Sequence, residues 1–286
     1  MRENLQKSLI DEDIFQYGSN ELMLYEKRLT QYFTREYKLH LGNNQHVSLN
    51  NGPLALAAEE LADDHYNEGI PFFQSFLDTK TMSYTMAYFD ENSNMALASR
   101  KSLEQAQTDK FKLIAQRLEL KGDEHLLNIG CGFGYFESYL LDTYPQLRVS
   151  STTHSKDQYE FVLNRMNQHG DSLSSGRFRV FFGEINRKSS LNFGKGEYDA
   201  VCSVGLLEQI NNIEQFFKII DELLTDNGRM FHHLIMSRDL IPQFLDPDKT
   251  LIGKYFPGGK VLPFYALKKD FGNFRLILYL SRQHYS

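Results

Sequence analysis

The run LLNIGCGFGY, Leu126–Tyr135, constrains what this chain can fold into more than any other segment. An apolar stretch stops abruptly in three glycines at alternate positions, Gly130, Gly132 and Gly134. A short continuous apolar run reads as a strand buried on both faces of a parallel sheet, and glycines at its end let a ligand come close to the backbone. The next residues, Phe136–Leu147, have helical spacing. Strand, glycine turn and helix N-terminus in succession form the geometry of a nucleotide-type cofactor site. Taken alone, the pattern also fits a turn built for packing, so the surrounding chain has to decide.

After the glycines, apolar runs alternate with helical stretches. Strands are predicted at Leu147–Thr152, Arg177–Phe182, Tyr198–Val204 and Arg229–Met236. Helices are predicted at Lys156–Gln168, Asn212–Leu224 and Asp239–Phe244. Such alternation implies an α/β fold, a doubly wound and mostly parallel sheet. The tripeptide Asp226-Asn227-Gly228 predicts the turn into the last strand. Upstream, residues 1–64 read as a helical N-terminal extension. Leu22, Leu24, Leu29, Tyr32 and Phe33 stand at helical spacing, and helical character returns at Leu54–Asp64. The polar segment GNNQHVSLNNGP (42–53) reads as a linker within that extension, and residues 65–286 as the main domain.

Ligands of such a sheet bind beyond the carboxyl ends of its strands. After the second strand stand Thr153, His154, Ser155 and Gln158, polar groups suited to ribose hydroxyls. After the third come Gly183 and Glu184, whose carboxylate suits an exocyclic adenine amine. After the fourth come Ser203, Gly205 and Glu208. Each has a plainer reading as a loop polar group or cap: Ser155 is a good N-cap, and Glu208 an acid favoured by a helix dipole. Their joint placement at strand ends favours a site. His232 and His233 close an apolar strand, so alternation sends one to each side of the sheet, and one of them suits a core histidine. Tyr84, Tyr88 and Phe89 suit either an apolar tunnel or plain core.

Charge narrows the partners. A formal charge of −6 argues against a general nucleic-acid binder, which needs a basic surface to neutralise phosphates. The charge is uneven: from Arg238 onward there are eight Lys/Arg against four Asp/Glu. That stretch suits anionic head groups or, more plainly, a solvated mixed face. Cys131 and Cys202, at predicted strand ends, read as small buried hydrophobes in a reducing compartment. The opening MRENLQKSLI lacks a signal-peptide core, and no apolar run is long enough to span a bilayer. The expected location is cytoplasmic, with at most peripheral contact at the inner membrane face.

Seven segments, in order, resemble the cyclopropane fatty acid synthase family of S-adenosylmethionine-dependent methyltransferases, which includes the mycolic acid cyclopropane synthases. They are HYNEGIPFFQSFLD (65–78), MSYTMAYF (82–89), SLEQAQTDKFKLIAQRLEL (102–120), STTHSKDQ (151–158), SVGLLEQI (203–210), FHHLIM (231–236) and KYFPGGKVLP (254–263). The resemblance implies a Rossmann-like class I methyltransferase fold with S-adenosylmethionine as cofactor and no metal. It implies that Tyr84 and Thr85 close over the methionine part and that Gly130, Gly132 and Gly134 allow backbone approach. Thr153, His154 and Gln158 would lie at the ribose, Glu184 at the adenine edge, and Ser203 beside the cofactor. The implied reaction transfers the sulfonium methyl to a double bond of an unsaturated lipid acyl chain. The resulting carbocation then loses a proton to a bound bicarbonate, and the ring closes. Glu208, His233 and Ile235 match positions around that bicarbonate, Glu208 and His233 being the catalytic pair.

The chain also departs from the family. Met86 replaces a cysteine of the covering loop, and Gln209 replaces the histidine after the active-site glutamate. Asn128 stands where an acid usually precedes the glycines. Only 23 residues follow Pro263, where the family has a longer region that closes the acyl pocket, so the sheet is expected to lack an outer strand. Within DFGNFRLILYL (270–280), Phe274 falls near a bicarbonate-binding tyrosine. Three readings therefore stand: a methyltransferase acting on an acyl double bond, one acting on a small amine, and a non-catalytic relative that binds the cofactor or has lost it.

Overall fold

The computed structural model describes residues 20, 23, 24, 27, 28, 30, 31, 34, 35, 52–55, 66–89, 101–185, 193–237, 243–244 and 258–263. The chain divides into two compact units. The larger holds residues 62–207, 215–234 and 273–286, and the smaller holds 1–61, 208–214 and 235–272.

The larger unit begins with a short helix α1 (Ile70–Gln74) and a longer α2 (Leu103–Arg117). Then follow β1 (His125–Ile129), α3 (Tyr135–Thr143), β2 (Arg148–Thr153), α4 (Lys156–Met166), β3 (Phe178–Phe182) and β4 (Tyr198–Val204). Helix α5 (Ile213–Leu223) leads directly into β5 (Leu224–His233). The five strands lie in the order β3-β2-β1-β4-β5, and every pairing is parallel. Order and direction are those of a doubly wound sheet, as the alternation implied.

Local chemistry explains where elements start. Ser102 and Gln105 form a reciprocal capping box at the start of α2. The Ser155 hydroxyl accepts the Gln158 N–H and caps α4, which is the plain reading weighed for it. All five residues of β1 are buried. Leu126 joins Phe111 and Ile114 of α2, Leu140 of α3 and Val162 of α4 in one apolar cluster. Each fully buried leucine there contributes roughly 1.5–3 kcal/mol. Helix α5 packs on the opposite face, where Phe216 and Phe217 set their rings edge-on to His232. Phe231, one residue earlier, belongs to the α2–α4 side.

Strand β5 corrects one expectation. It begins at Leu224, paired with Tyr198, whereas the next pairing joins Ala200 to Arg229. Residues 225–228 therefore bulge out of the ladder, and the Asp226-Asn227-Gly228 turn lies inside the strand instead of preceding it. A Cβ on Gly228 would come within 2.8 Å of the Leu224 side chain, so the bulge folds back too tightly for any larger residue. The strand also ends at His233, three residues before Met236.

In the smaller unit, β6 (Met236–Ser237) pairs parallel with β8 (Lys260–Pro263), and β7 (Gln243–Phe244) pairs antiparallel with β8. Gln243 and Phe244 are thus strand, against the helix expected there; residues 239–242 lie outside the described set. Leu54 and Ala55 are not helical either, because Ala55 forms an antiparallel bridge with Ile210. The described residues between 20 and 35 are helical. Phe274 and the 270–280 segment lie outside the described residues. Among the described residues, no helix is long and apolar enough to cross a membrane.

Candidate functional site

The glycine turn leaves β1 with Gly130, Gly132 and Gly134 at φ 88°, 56° and 76°. These left-handed values favour glycine. The N–H groups of Gly130 and Cys131 both bond to the Thr152 carbonyl at 3.0 and 2.9 Å, tying the turn to the end of β2. A Cβ on Gly132 would meet nothing within 4 Å, whereas one on Gly134 would lie 3.0 Å from Leu173 and 3.2 Å from Val162. Gly132 thus faces open space, and Gly134 is fixed by packing.

Arg165 of α4 braces the turn from behind. Its guanidinium donates to the Phe133 carbonyl at 3.0 Å, to Ser138 Oγ at 2.7 Å and to both oxygens of Asp171. Beneath the turn, Asn128 Nδ2 and Ser151 Oγ donate to the same Glu137 oxygen at 2.7 and 2.8 Å. The other oxygen is buried without a partner, and burial pushes the Glu137 carboxyl above its ordinary range. A carboxyl thus stands one hydrogen bond behind Asn128, supplied from α3.

At the end of β2, Thr153 Oγ1 bonds to Gln158 Oε1 at 2.9 Å and accepts the Ser155 N–H. Both side chains are buried and their positions fixed. Half-buried His154 sits between them in sequence, its imidazole pushed by burial below its ordinary range. After β3, Gly183 bonds back to the Thr153 carbonyl, and Glu184 is half-buried beside it.

The 82–89 segment is held from α2. Asp78 first organises its approach, accepting from Thr81 N at 2.6 Å, Thr81 Oγ1 at 2.6 Å and Ser83 N at 3.3 Å. Gln107 Nε2 donates to the Thr85 carbonyl at 2.8 Å, and Lys110 Nζ donates to Thr85 Oγ1 at 2.5 Å. Tyr84 lies against Tyr66, Phe73 and Phe76, and Met86 is half-buried. Thr85 also closes on the end of β4, where a Cβ on Gly205 would come within 3.0 Å of its methyl. Lys110 and Gln107 were not singled out from sequence. The signal was there: both interrupt the apolar face of α2 that carries Ala106, Phe111 and Ile114.

The two histidines divide as alternation requires. His232 Nδ1 is 2.8 Å from Ser203 Oγ among the α5 aromatics, so it is the core histidine, and Ser203 is its partner. His233 returns to the α2 side, its Nδ1 buried without a partner. Burial, with the Lys110 charge nearby, holds it at about 4, so it is neutral at pH 7.

Within the smaller unit, Glu208 Oε1 accepts the Ile235 N–H at 2.6 Å, and Oε2 is buried without a partner. Burial raises its pKa above the ordinary carboxylate value. The Glu208 carbonyl accepts the Lys260 N–H at 2.8 Å, and Lys260 Nζ donates to the Asn211 carbonyl at 2.9 Å. Asn211 and Asn212 in turn bond to the Leu54 carbonyl, so the stretch around Glu208 and buried Gln209 is fixed on both sides.

Comparison with known proteins bears on the family and the fold. The family described as mycolic acid cyclopropane synthetase matches residues 56–283. The chain belongs to that family. The cyclopropane-fatty-acyl-phospholipid synthase of Escherichia coli (strain K12) is 29% identical over 199 residues, 68% of this chain and 45% of that protein. The (S)-tetrahydroprotoberberine N-methyltransferase of Eschscholzia californica is 26% identical over 185 residues, 64% of this chain and 48% of that protein. The chain spans about half the length of these curated relatives. Among solved structures, coclaurine N-methyltransferase bound to N-methylheliamine and SAH matches with a TM-score of 0.70 at 19% identity. That match covers 91% of this chain and 73% of the other. This member of the mycolic acid cyclopropane synthetase family therefore has the Rossmann-like fold of class I methyltransferases.

Proposed function

We propose that this chain is an S-adenosylmethionine-dependent methyltransferase whose acceptor is the double bond of an unsaturated lipid acyl chain. The observation that carries the acyl reading is the Glu208–Ile235 pair. Glu208 spends one oxygen on a backbone N–H and keeps the other buried and unbonded, in a segment braced on both sides. Glu208, Ile235 and His233 are the residues that match the family's bicarbonate surroundings.

The residues fit the cofactor. Gly132 opens onto space that a side chain would fill, and Gly130 is exposed at the strand end. Gly130, Gly132 and Gly134 would admit the backbone approach, Thr153, His154 and Gln158 would hold ribose, and Glu184 the adenine edge. Tyr84 and Thr85 would cover the methionine part, and Ser203 would support the end of β4 through His232. S-adenosylmethionine, when bound, supplies an electrophilic methyl. The chain's own contribution is to position the acceptor and exclude water, because an apolar surround desolvates a cationic donor. Glu208, its carboxyl raised by burial, and His233, neutral at pH 7, are each by its own chemistry able to orient an anion such as bicarbonate.

A specific observation also favours an amine acceptor. Met86 takes one contributor away from the family's bicarbonate surroundings and Gln209 puts a non-titrating amide in place of a histidine, whereas amine methylation needs only desolvation or one acid–base group such as Glu208. Peripheral contact with a lipid surface belongs to the acyl reading alone.

The test incubates the purified chain with S-adenosylmethionine and either vesicles of unsaturated phospholipid or tetrahydroisoquinoline. Mass spectrometry then looks for one added methylene unit or methyl group. Product only from the amine replaces the acyl reading. No product from either, with S-adenosylhomocysteine still bound, points to the non-catalytic relative.

A further inference from the structure

Lys110 is a buried lysine, 3% exposed, in the middle of α2. Its Nζ has three N–H directions, and among the described residues only Thr85 Oγ1 accepts from it. Asp78 is the carboxylate whose charge reaches it, but that carboxylate is committed to Lys80, Thr81 and Ser83. A buried ammonium with open donor positions is costly unless an anion completes it. One turn away on the same face, Gln107 shares the contact with Thr85 through Nε2 and keeps a buried Oε1 without a partner.

Unfilled donors on Lys110 and an unfilled acceptor on Gln107, both attached to Thr85, complement a carboxylate and an ammonium borne by one small group. We propose that Lys110, with Thr85, binds the α-carboxylate of an amino-acid-bearing cofactor, and that Gln107 Oε1 accepts from its α-ammonium. The inference rests on the S-adenosylmethionine reading above and assigns the groups that recognise the zwitterionic end. Burial holds the Lys110 ammonium down to about 7, partly offset by Asp78, which fits a site completed by a negative charge. It also gives α2 a task at the cofactor, through a charge that reaches the covering segment from behind.

The test compares two ligands that differ only at that end. Wild-type chain and Lys110→Met are titrated calorimetrically with S-adenosylhomocysteine and with 5′-methylthioadenosine, which lacks the amino-acid group. Losing a charged hydrogen bond should weaken S-adenosylhomocysteine by roughly 10- to 100-fold while 5′-methylthioadenosine stays within about threefold. Equal weakening of both ligands, or of neither, overturns the assignment. Should Lys110→Met not fold, Lys110→Gln and Thr85→Val take its place. Selective weakening in either supports the assignment, and its absence from both overturns it. A wild-type chain that binds neither ligand overturns the cofactor reading itself, and this inference with it.

Discussion

Glu208 and Ile235 are joined by a 2.6 Å hydrogen bond from backbone N–H to carboxylate, which fixes the acid in place while sparing its second oxygen. A carboxyl held this way keeps its orientation when its charge changes. Glu208→Gln retains the acceptor for Ile235 and removes only the proton chemistry. S-adenosylhomocysteine affinity should stay within about threefold while turnover falls roughly 100-fold or more. Single-turnover kinetics alongside calorimetry check this, and unchanged turnover removes Glu208 from the mechanism.

Gly132 and Gly134 should fail differently. Gly132→Val places a side chain in open space at φ 56°, so the fold loses roughly 1–2 kcal/mol and the cofactor is shut out. Gly134→Ala drives a methyl toward Leu173 and Val162, costing about 2–3 kcal/mol through strain and overpacking. Thermal melts and S-adenosylhomocysteine titrations of both variants separate the two effects. Tight binding by Gly132→Val would sink the site assignment.

Arg165 and Asp171 are both largely buried, and Arg165 also holds the Phe133 carbonyl. Arg165→Met leaves a carboxylate and a carbonyl without their partner. The expected loss is about 3 kcal/mol by urea unfolding. A loss under about 0.5 kcal/mol, the size of an ordinary surface change, would show that the turn does not depend on this brace.

Acid should destabilise the fold through its histidines. His232 and His233 are held at about 4 by burial, against an ordinary value of 6.5. Between those values the unfolded chain binds protons that the folded chain refuses, so stability rises with pH across that window. Glu137 and Glu208, raised by burial, act in the opposite sense above 4.5. The double variant Ser203→Ala/His232→Phe removes one histidine and its partner together. Its melting temperature should fall less steeply than the wild type's as pH drops from 6.5 towards 4, and parallel curves would contradict the buried neutral assignment of His232.

Much of this arrangement is legible in the residues. Tyr198–Val204 is strand from end to end, and Ser155 caps its helix, because apolar runs and caps are local signals. The division of His232 from His233 follows from alternation alone. Other features depend on tertiary contacts. Ala55 bridges Ile210, and Gln243 and Phe244 pair with β8, each overriding the helical propensity of its segment. Glu137 shows its role only when α3 lays it beside Asn128 and Ser151, residues far apart in the chain. Lys110 interrupts the apolar face of α2 in the sequence, but its pairing with Thr85 shows only once that face is buried.

The outlooped residues 225–228 make β5 a strand with a handle. Asp226 and Asn227 are exposed there, at the end of the strand opposite His233. A fluorophore or surface tether attached at Asp226 would sit away from the strand ends where ligand is expected, and outside the β4–β5 ladder. Binding could then be followed on immobilised or labelled protein without the reporter standing at the strand ends it is meant to observe.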